Sequence, residues 1–323
     1  TGWGKYLPPN VVTNKDLEKI VDTTDEWIQK RTGIKKRRIA DEDTATSDLA
    51  LEASKAALKK ANLDPKELDL IIVSTVTPDM AFPATACIIQ DTIGADKAAA
   101  FDLEAGCSGF VYGLSVGAQF IESGLYDNVL VIGAETLSKI TDWDDRNTCV
   151  LFGDGAGAAV LQATDKGGFL SFDLGSDGSG ADALYMEAGG SKNPASLETV
   201  KNRQHYIRME GNPVFKFAVK TMKNASKDVL KKANLTTDDI DLLIPHQANT
   251  RIIKSARRRL KLDEDEVYVN LPEVGNTSSA SVAIALTEAL EKGIIKNGDH
   301  VLLVAFGAGL TWASTVMKWN EEV

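Results

Sequence analysis

Apolar residues along the chain follow two alternating patterns. Amphipathic stretches with helical spacing, such as 53–63 and 225–235, are each followed by a short run that is mostly apolar, such as 68–72 and 240–244. Runs of this length are typical of strands buried on both faces of a sheet. The alternation therefore predicts an α/β fold in which the strands pair mostly in parallel.

The chain also repeats itself at an offset of 172 residues. Residues 53–63 and 225–235 are identical at nine of eleven positions, and the same offset pairs 68–72 with 240–244 and 127–131 with 299–303. Three collinear matches predict a duplicated α/β unit. We place the first half at residues 1–165 and the second at 166–323.

Each half contains a helix rich in small residues, predicted at 110–120 in the first half and 278–290 in the second. Neither helix has a polar face over its first turns, which indicates burial on all sides. Two sheets stacked around two central helices would bury both of them.

Cys107 follows the predicted strand 98–103 and comes just before the first central helix. The first turn of a helix presents unpaired N–H groups and the positive end of the helix dipole. We therefore expect the pKa of this thiol to fall from about 8.5 into the range of roughly 3.5–7.5, so that thiolate is available near neutrality. The alternative is a small apolar side chain packed in the core.

His246 follows the predicted strand 241–244, where open α/β sheets bind ligands. The repeat offset maps His246 onto Ser74 and Cys107 onto Ser279. If the halves pack about a pseudo-twofold axis, Cys107, His246 and the loop 273–277 meet in one cleft. Cysteine and histidine together suggest acyl transfer through a thioester.

Asn276, in that loop, is either a neutral hydrogen-bond donor in the cleft or a turn or cap residue. His205 and His300 lie in polar stretches, and we expect both to be exposed and structural. We expect Cys87, on a helix, and Cys149, in a strand, to belong to the core.

Two glycine-rich segments, 153–158 and 306–310, are each predicted to lie between two strands. The first is therefore interpreted as a tight turn, because a dinucleotide loop would join a strand to a helix. In the second, a backbone N–H can face the cleft as an oxyanion donor. No histidine or cysteine spacing supports a metal site.

Composition limits the possible partners. The chain has 43% apolar and 25% charged residues, as ordinary globular proteins do. Its net charge of −10 disfavours general nucleic-acid binding. Three widely spaced cysteines and no apolar run of transmembrane length predict a cytoplasmic protein without a membrane partner. Two basic runs, 35–38 and 257–259, are either solvated surface or landing sites for a phosphate or an acidic partner.

Several motifs in fixed order carry a specific resemblance that covers essentially the whole chain. They are Thr-Asp-Glu-Trp-Ile at 24–28, Arg-Thr-Gly-Ile at 31–34, Ala-Gly-Cys-Ser-Gly-Phe at 105–110, Phe-Gly-Asp-Gly-Ala at 152–156, Pro-His-Gln-Ala-Asn at 245–249, Gly-Asn-Thr-Ser-Ser-Ala at 275–280 and Gly-Leu-Thr-Trp at 309–312. With them, the sequence resembles the β-ketoacyl-acyl-carrier-protein synthase III family of the thiolase superfamily. The resemblance implies a thiolase-like duplicated fold, layered α-β-α-β-α with two central buried helices.

The resemblance also implies the condensing step that starts fatty-acid synthesis. An acyl-CoA would acylate Cys107, and malonyl-acyl-carrier-protein would then decarboxylate and attack the thioester. His246 and Asn276 would hydrogen-bond the malonyl thioester oxygen. CoA thioesters are substrates in this scheme, and no cofactor is implied.

Further roles follow by position from the same resemblance. The N–H groups of Cys107 and Ala308 would hold an oxyanion, although the family frequently has a third glycine in place of Ala308, and alanine would be strained there at positive φ. CoA would be contacted by Trp27, Arg31, Arg146, Gly211 and Asn249. The carrier protein would dock on Lys216, Arg251, Arg258 and Arg259. Phe82 would reach into the acyl pocket of a partner subunit, which implies a homodimer.

Two other functions stay open from sequence. One is a condensing enzyme of a secondary-metabolite pathway of the polyketide or quinolone type, and the other is a non-catalytic thiolase-fold protein that binds acyl groups. A thiolase is disfavoured because neither Cys87 nor Cys149 lies at the start of the second half's central helix. The preferred primer, whether acetyl, branched or longer, is not decided by spacing.

Overall fold

The computed structural model describes residues 1–321, which form two mixed sheets on either side of two buried helices. The helices are α1 (Asn14–Leu17), α2 (Asp25–Thr32), α3 (Thr46–Ala61), α4 (Thr85–Ile93), α5 (Gly109–Glu122), α6 (Arg146–Cys149), α7 (Leu197–Lys201), α8 (Gly211–Lys232), α9 (Thr250–Leu260), α10 (Leu271–Val274) and α11 (Ala280–Glu291). The strands are β1 (Gly2–Tyr6), β2 (Val11–Thr13), β3 (Lys36–Arg38), β4 (Leu70–Ser74), β5 (Ala99–Leu103), β6 (Val129–Glu135), β7 (Gly155–Leu161), β8 (Gly168–Ser176), β9 (Leu184–Met186), β10 (Ile207–Met209), β11 (Leu242–Pro245), β12 (His300–Gly307) and β13 (Thr311–Lys318).

The first sheet has the strand order β1-β7-β6-β4-β5, and the second has the order β11-β12-β13-β8. Strand β4 pairs in parallel with β5 and β6, and β11 pairs in parallel with β12. The remaining four pairings in these sheets are antiparallel. The expectation of mostly parallel pairing is therefore wrong. Strands β12 and β13 illustrate the reason, because only residues 308–310 join them and a short turn reverses the chain.

The sequence repeat is a repeat of structure. At the same offset, α3 corresponds to α8, β4 to β11, α5 to α11 and β6 to β12. The match fails at β5, since the offset maps this strand onto residues 271–275, where the structure has α10. Beside β11 there is only an isolated parallel bridge between Leu243 and Val267. The four pairs of elements that do match confirm the predicted duplicated fold.

The central helices α5 and α11 lie between the two sheets, and their apolar side chains share one core cluster with β4, β6, β11 and β12. Small residues let the layers approach closely. A Cβ atom on Gly113 would lie 2.8 Å from Val131 Cγ1, and one on Gly157 would lie 2.5 Å from the Cβ of Ala283. The outer faces of the sheets are covered by α3 and α4 on one side and by α8 and α9 on the other. The layering α-β-α-β-α is thus confirmed.

Several local expectations need correction. Cys87 is exposed on α4, because it lies on the outward face of a helix that covers only one side of the first sheet. Cys149 is buried as expected, but it ends the short helix α6 and is not in a strand. The glycine segment 153–158 is accordingly not a tight turn between two strands, because its residues 155–158 begin β7 and a helix precedes it.

The two other histidines are half-buried instead of exposed. The His205 ring hydrogen-bonds the Thr199 hydroxyl at 2.9 Å, and Nδ1 of His300 lies 3.0 Å from the Asp239 carbonyl oxygen. Both contacts are structural. Within residues 1–321, no helix has the length and apolar character needed to span a membrane.

The close contact between β7 and α11 leads to a stability prediction. Replacement of Gly157 by alanine would push a Cβ into the backbone of Ala283, which is 2.8 Å away and cannot rotate aside. We expect Gly157→Ala to lower the free energy of unfolding by about 1–3 kcal/mol in urea titration. The control Gly178→Ala adds a Cβ with nothing within 4 Å and should change stability little. Equal stability of the two variants would contradict the packing described here.

Candidate active site

Cys107 lies at the carboxyl end of β5, in a 3₁₀ turn over Gly106–Ser108 that leads into α5. Two glycines allow this turn to pack backbone against backbone on the segment after β12. A Cβ on Gly307 would lie 2.3 Å from the Cys107 nitrogen, and one on Gly106, whose φ is +54°, would lie 2.7 Å from the Ala308 nitrogen. The backbone N–H groups of Cys107 and Ala308 are therefore neighbours.

The strain expected at Ala308 is absent. Among the described residues, positive φ is recorded for five non-glycine positions, and Ala308 is not one of them. Alanine therefore fits the turn between β12 and β13 without cost, and the left-handed conformation is taken by Gly309 instead, with φ of +129°.

His246 follows β11, and its side chain is 1% exposed. Its backbone N–H donates to the Val304 carbonyl at 2.7 Å, and its Nδ1 lies 2.6 Å from the Ser281 hydroxyl. The edge of the ring contacts Phe306, with the ring centroids 5.2 Å apart. These contacts fix the imidazole, and Nε2 is the nitrogen left to form a hydrogen bond with a ligand in the cavity described below.

Asn276 lies between α10 and α11, held at both backbone groups. Its N–H donates to the Leu151 carbonyl, and its carbonyl accepts from Gly153, each at 2.9 Å. Its Oδ1 accepts from the backbone N–H of Ser278 at 2.9 Å. Because Oδ1 is occupied within the turn, the Nδ2 amide is the part of the side chain that can donate to a ligand. Asn276 is thus a turn residue and a cavity donor at once.

One cavity of about 520 Å³ contains all three side chains. Cys107, His246 and Asn276 line it together with other residues singled out in the sequence, which are Trp27, Arg31, Gly211, Asn249 and Arg251. Phe215, Phe217, Phe306 and Leu310 give much of the wall an apolar character. The cavity therefore joins a reactive, buried end to a rim that carries cations and an aromatic ring.

The ionisation expected for Cys107 is not found. Burial raises the pKa of its thiol to about 12, the negative charge of Glu135 adds to the rise, and a hydrogen bond with the Ser278 side chain opposes it. Cys107 lies in the 3₁₀ turn before α5. There the cost of removing a thiolate from water outweighs its stabilisation by the positive end of the helix dipole. Burial also lowers the pKa of His246 to about 3, so this imidazole is neutral at physiological pH.

At the rim, three of the residues assigned to CoA contact one another. The guanidinium carbons of Arg146 and Arg31 lie 5.1 Å and 5.7 Å from the centroid of the Trp27 ring. Asn249 caps α9 and donates from Nδ2 to the Arg31 carbonyl at 3.1 Å. Arg146 contacts the ring without lining the main cavity, and it also donates to the Asp22 carbonyl.

A second cavity of about 460 Å³ adjoins the rim, and Phe215 and Arg251 line both cavities. We call it the basic groove, defined by Phe215, Arg251, Lys254, Ser255, Arg258 and Arg259. Its cations lie on α9. Lys216 is exposed on α8 and does not line the groove.

Phe82 stands apart from both cavities. It lies between β4 and α4, and 84% of its surface is exposed, next to Met80 at 49%. No contact in the described chain explains such exposure of an aromatic ring, which is unusual for a residue that gains from burial.

Sequence reasoning missed Ser281, Ser278 and Glu135. The Ser281 hydroxyl contacts His246 Nδ1, the Ser278 N–H donates to Asn276 Oδ1, and Glu135 accepts from the Ser279 hydroxyl. The serines belong to the Ser/Thr run after Asn276, and this run was the available signal. Glu135 ends the apolar strand β6, and a charged residue ending a buried strand carries little information by itself. Among residues 1–321, no group of three or more His, Cys, Asp or Glu side chains is placed to hold a metal ion.

Two family models match the chain. Residues 101–178 match 3-oxoacyl-[acyl-carrier-protein (ACP)] synthase III, and residues 230–319 match the C-terminal part of the same family.

Known proteins match over nearly the full length. The β-ketoacyl-[acyl-carrier-protein] synthase III of Caldanaerobacter subterraneus subsp. tengcongensis is 65% identical over 99% of this chain and 97% of its own. The enzyme of the same name from Natranaerobius thermophilus is 58% identical over 98% and 97%. The crystal structure of 3-oxoacyl-[acyl-carrier-protein] synthase III from Aquifex aeolicus superposes with a TM-score of 0.91 at 48% identity, covering 98% of each chain. With this likeness and with cysteine, histidine and asparagine in one cavity, the chain belongs to the β-ketoacyl-acyl-carrier-protein synthase III family of condensing acyltransferases.

Proposed function

We propose that the chain joins an acyl-CoA primer to malonyl-acyl-carrier-protein, giving 3-oxoacyl-acyl-carrier-protein, CO₂ and CoA, and so starts fatty-acid synthesis. The single observation that carries the proposal is that Cys107, His246 and Asn276 line one cavity. The proposed reaction is the one that the family carries out. The roles of the individual residues given below are inferred from the geometry of the cavity.

In the first half-reaction, the Cys107 sulfur attacks the thioester carbonyl of the primer. Negative charge then develops on the carbonyl oxygen. The adjacent N–H groups of Cys107 and Ala308 are the donors that we assign to this oxygen, because fixed backbone dipoles cost no reorganisation as the charge forms. Collapse of the intermediate releases CoA and leaves an acyl-enzyme.

In the second half-reaction, loss of CO₂ from the malonyl group makes an enolate. We assign His246 Nε2 and Asn276 Nδ2 as donors to its oxygen. A neutral imidazole donates from Nε2 only if Nδ1 carries no proton. Ser281 suits this tautomer, because its oxygen lies 3.4 Å from the Gln247 N–H, and its own hydrogen is then available for Nδ1.

At the rim, we infer that the CoA adenine stacks between Trp27 and Arg146. A planar cation on an aromatic face is a favourable arrangement. A purine between the two side chains would stack on the Trp27 ring on one face and on the Arg146 guanidinium on the other. The guanidinium carbon of Arg31 lies 5.7 Å from the centroid of the same ring, and we assign this cation to the CoA phosphates. Gly211 and Asn249, which line the cavity, would border the pantetheine arm.

The basic groove is our docking site for the carrier protein, which is acidic in this scheme. Arg251, Arg258 and Arg259 lie in it, beside the mouth of the main cavity, although the chain as a whole carries a charge of −10. Lys216, exposed on the neighbouring helix α8, would extend the contact. A local cationic surface attracts an acidic partner to that face, while the rest of the acidic protein repels it.

We further propose a homodimer in which Phe82 enters the acyl pocket of the partner subunit, which would account for its exposure. We place the enzyme in the cytoplasm and infer that it acts without a cofactor, since the assigned side chains supply nucleophile and donors. The two other functions are not favoured. Curated relatives that are more than half identical over nearly the whole chain are named β-ketoacyl-[acyl-carrier-protein] synthase III, and the cavity retains the cysteine that a binding protein would not need.

The acyl-enzyme leads to the first test. Incubation with acetyl-CoA should add one acetyl group, located on Cys107 by mass spectrometry, and Cys107→Ser should abolish both the adduct and turnover. The matched control is Cys87→Ser, because Cys87 is exposed and lies outside the cavity. Turnover with an unmodified Cys107 would rule out the mechanism. Comparison of acetyl, branched and longer primers in the same assay would identify the preferred starter.

The second test separates the half-reactions. His246→Ala should keep acylation of Cys107 and slow malonyl decarboxylation by roughly 10²–10³-fold, because one donor to the enolate is lost. His300→Ala is the control, since that ring contacts the Asp239 carbonyl and does not line the main cavity. Loss of acylation with decarboxylation intact would reverse the assigned roles.

The third test concerns the basic groove. Arg258→Glu together with Arg259→Glu should raise KM for malonyl-acyl-carrier-protein, flatten its salt dependence and leave KM for acetyl-CoA unchanged. Lys66→Glu, in the turn Pro65–Glu67 of the first half, makes a charge reversal outside the groove and serves as control. Equal effects of both charge reversals would indicate general electrostatics and contradict a docking site.

A further inference from the structure

The basic run 35–38 stands out in the sequence, and none of the roles above uses it. Lys35 is at the surface, whereas Arg37 is 0% exposed. Burial lowers the pKa of the Arg37 guanidinium to about 10, so the group remains a cation at physiological pH. Its hydrogen-bond partners within residues 1–321 are neutral oxygens, with no carboxylate among them. Burial of a cation without an opposite charge costs free energy, so stability alone does not explain this residue.

The Arg37 side chain, which extends from β3, reaches two other elements with its two terminal nitrogens. Nη1 donates to Asn14 Oδ1 at 2.9 Å and lies 3.3 Å from the Val12 carbonyl oxygen. Nη2 donates to the Val150 carbonyl at 2.8 Å. Val150 is the cap residue at the C-terminal end of α6, whose first residue is Arg146. One nitrogen of the guanidinium therefore holds α6, and the other holds Asn14.

Asn14, which is 1% exposed, holds α2 near both of its ends. Its Nδ2 donates to Asp25 Oδ1 in the first turn of α2 and to the Ile34 carbonyl just beyond the last turn, each at 2.8 Å. Because its Oδ1 accepts from Arg37, the whole side-chain amide is engaged and its orientation is fixed. Trp27 lies on α2 between these two points.

The two helices that Arg37 connects carry the side chains assigned to the CoA adenine. We call Trp27 and Arg146 the adenine clamp. The guanidinium carbon of Arg146 lies 5.1 Å from the centroid of the Trp27 ring. Arg146 also donates to the Asp22 carbonyl, but it is exposed to water there. The buried bonds of Arg37 are therefore the firmer connection between the helices.

We propose that Arg37 is a positioning residue that sets the spacing of the adenine clamp and so preorganises it for CoA. The identity of the ligand rests on the proposed function. Because one guanidinium fixes both helices before CoA arrives, less order has to be gained on binding, and the affinity is higher. Arginine suits this role, since its planar fork reaches two acceptors in fixed directions, whereas lysine presents a single nitrogen. Arg37 does not line the cavity, so it acts through the clamp.

The first test is the Kd for CoA, measured by isothermal titration calorimetry. Arg37→Lys gives up the fork but keeps the Cβ, from which a Cβ on Gly153 or Gly275 would lie 3.1 Å. We expect this variant to raise the Kd about tenfold. The matched control is Arg38→Lys, because that guanidinium donates to the Pro8 carbonyl and does not line the cavity. An unchanged Kd in Arg37→Lys, or an equal change in both variants, overturns the proposal.

A comparison of two acetyl donors separates positioning from a general structural role. In Arg37→Lys, KM for acetyl-CoA should rise about tenfold with kcat unchanged, because the clamp contributes to binding and not to the chemical step. Acetylation of Cys107 by acetyl-pantetheine, which lacks the adenosine part, should keep its rate. A residue needed only for folding would reduce the fraction of active protein and slow both donors equally. Equal slowing contradicts the proposal.

The charge of Arg37 offers a rival explanation, because CoA is an anion. The Kd for CoA, measured over a range of salt concentrations, distinguishes the two. Positioning predicts that the unaltered protein and Arg37→Gln lose affinity in parallel as salt rises, since both keep the same contacts with the phosphates. A flatter salt dependence in Arg37→Gln would indicate attraction by charge and reject the positioning role.

Asn14→Ala provides a second variant if substitutions of Arg37 prevent folding. It removes the bonds to Asp25 and Ile34 and leaves the bond from Arg37 to Val150. The Kd for CoA should rise, and Arg37→Lys combined with Asn14→Ala should bind no more weakly than Arg37→Lys alone, since both residues act on α2 in one path. Additive losses, or an unchanged Kd in Asn14→Ala, would show that Arg37 does not act through Asn14.

Hydrogen–deuterium exchange without ligand tests the positioning by itself. The amides of residues 25–32 and 146–149 should exchange faster in Arg37→Lys than in Arg38→Lys, because both helices lose a buried connection. Faster exchange, together with no binding of CoA to the unaltered protein, would support the role of Arg37 and reject the proposed function. Unchanged exchange, together with CoA binding and acetylation of Cys107, would reject the role of Arg37 and leave the proposed function intact.

Discussion

The structure depends on one constraint, which is that two apolar helices must be buried on all sides. No single sheet can cover them, so two sheets enclose the pair, and the outer helices then cover the sheets. The starts of α5 and α11 consequently meet in the interior, together with the loops beyond β4 and β11. The reactive groups are therefore placed by packing: His246 and Asn276 are buried, and Cys107 is partly exposed to the cavity.

That burial determines the acid–base character of the site. It keeps His246 neutral, which suits a hydrogen-bond donor, and it keeps Cys107 protonated, which does not suit a nucleophile. A second buried ionisable group, Glu135, ends β6, and burial raises the pKa of its carboxyl although the hydroxyl and N–H groups around it oppose the rise.

Much of this could be predicted from the sequence, because its strongest signals are local or repeated. The offset of 172 gave the duplication, and the placement of Cys107 and His246 after strands gave their meeting point. Strand direction was misjudged because the alternation of helices and strands was taken to mean parallel pairing, although a connection as short as residues 308–310 reverses the chain between β12 and β13. The pKa of Cys107 was misjudged because helix position is visible in sequence whereas burial is not. Glu135 was missed because 144 residues separate it along the chain from Ser279, whose hydroxyl donates to it.

The duplication has a consequence for the second copy of the site. The offset that relates Cys107 to Ser279 and His246 to Ser74 also relates Gly307 to Glu135. In the structure, the Ser279 hydroxyl contacts the Ser74 carbonyl and the Glu135 carboxylate, each at 2.8 Å. The mirror location of the reaction centre is thus occupied by a serine that is hydrogen-bonded to both of these neighbours. The two halves have thus diverged at equivalent places: the start of the first central helix presents a thiol to the cavity, whereas the start of the second is closed by hydrogen bonds inside the core.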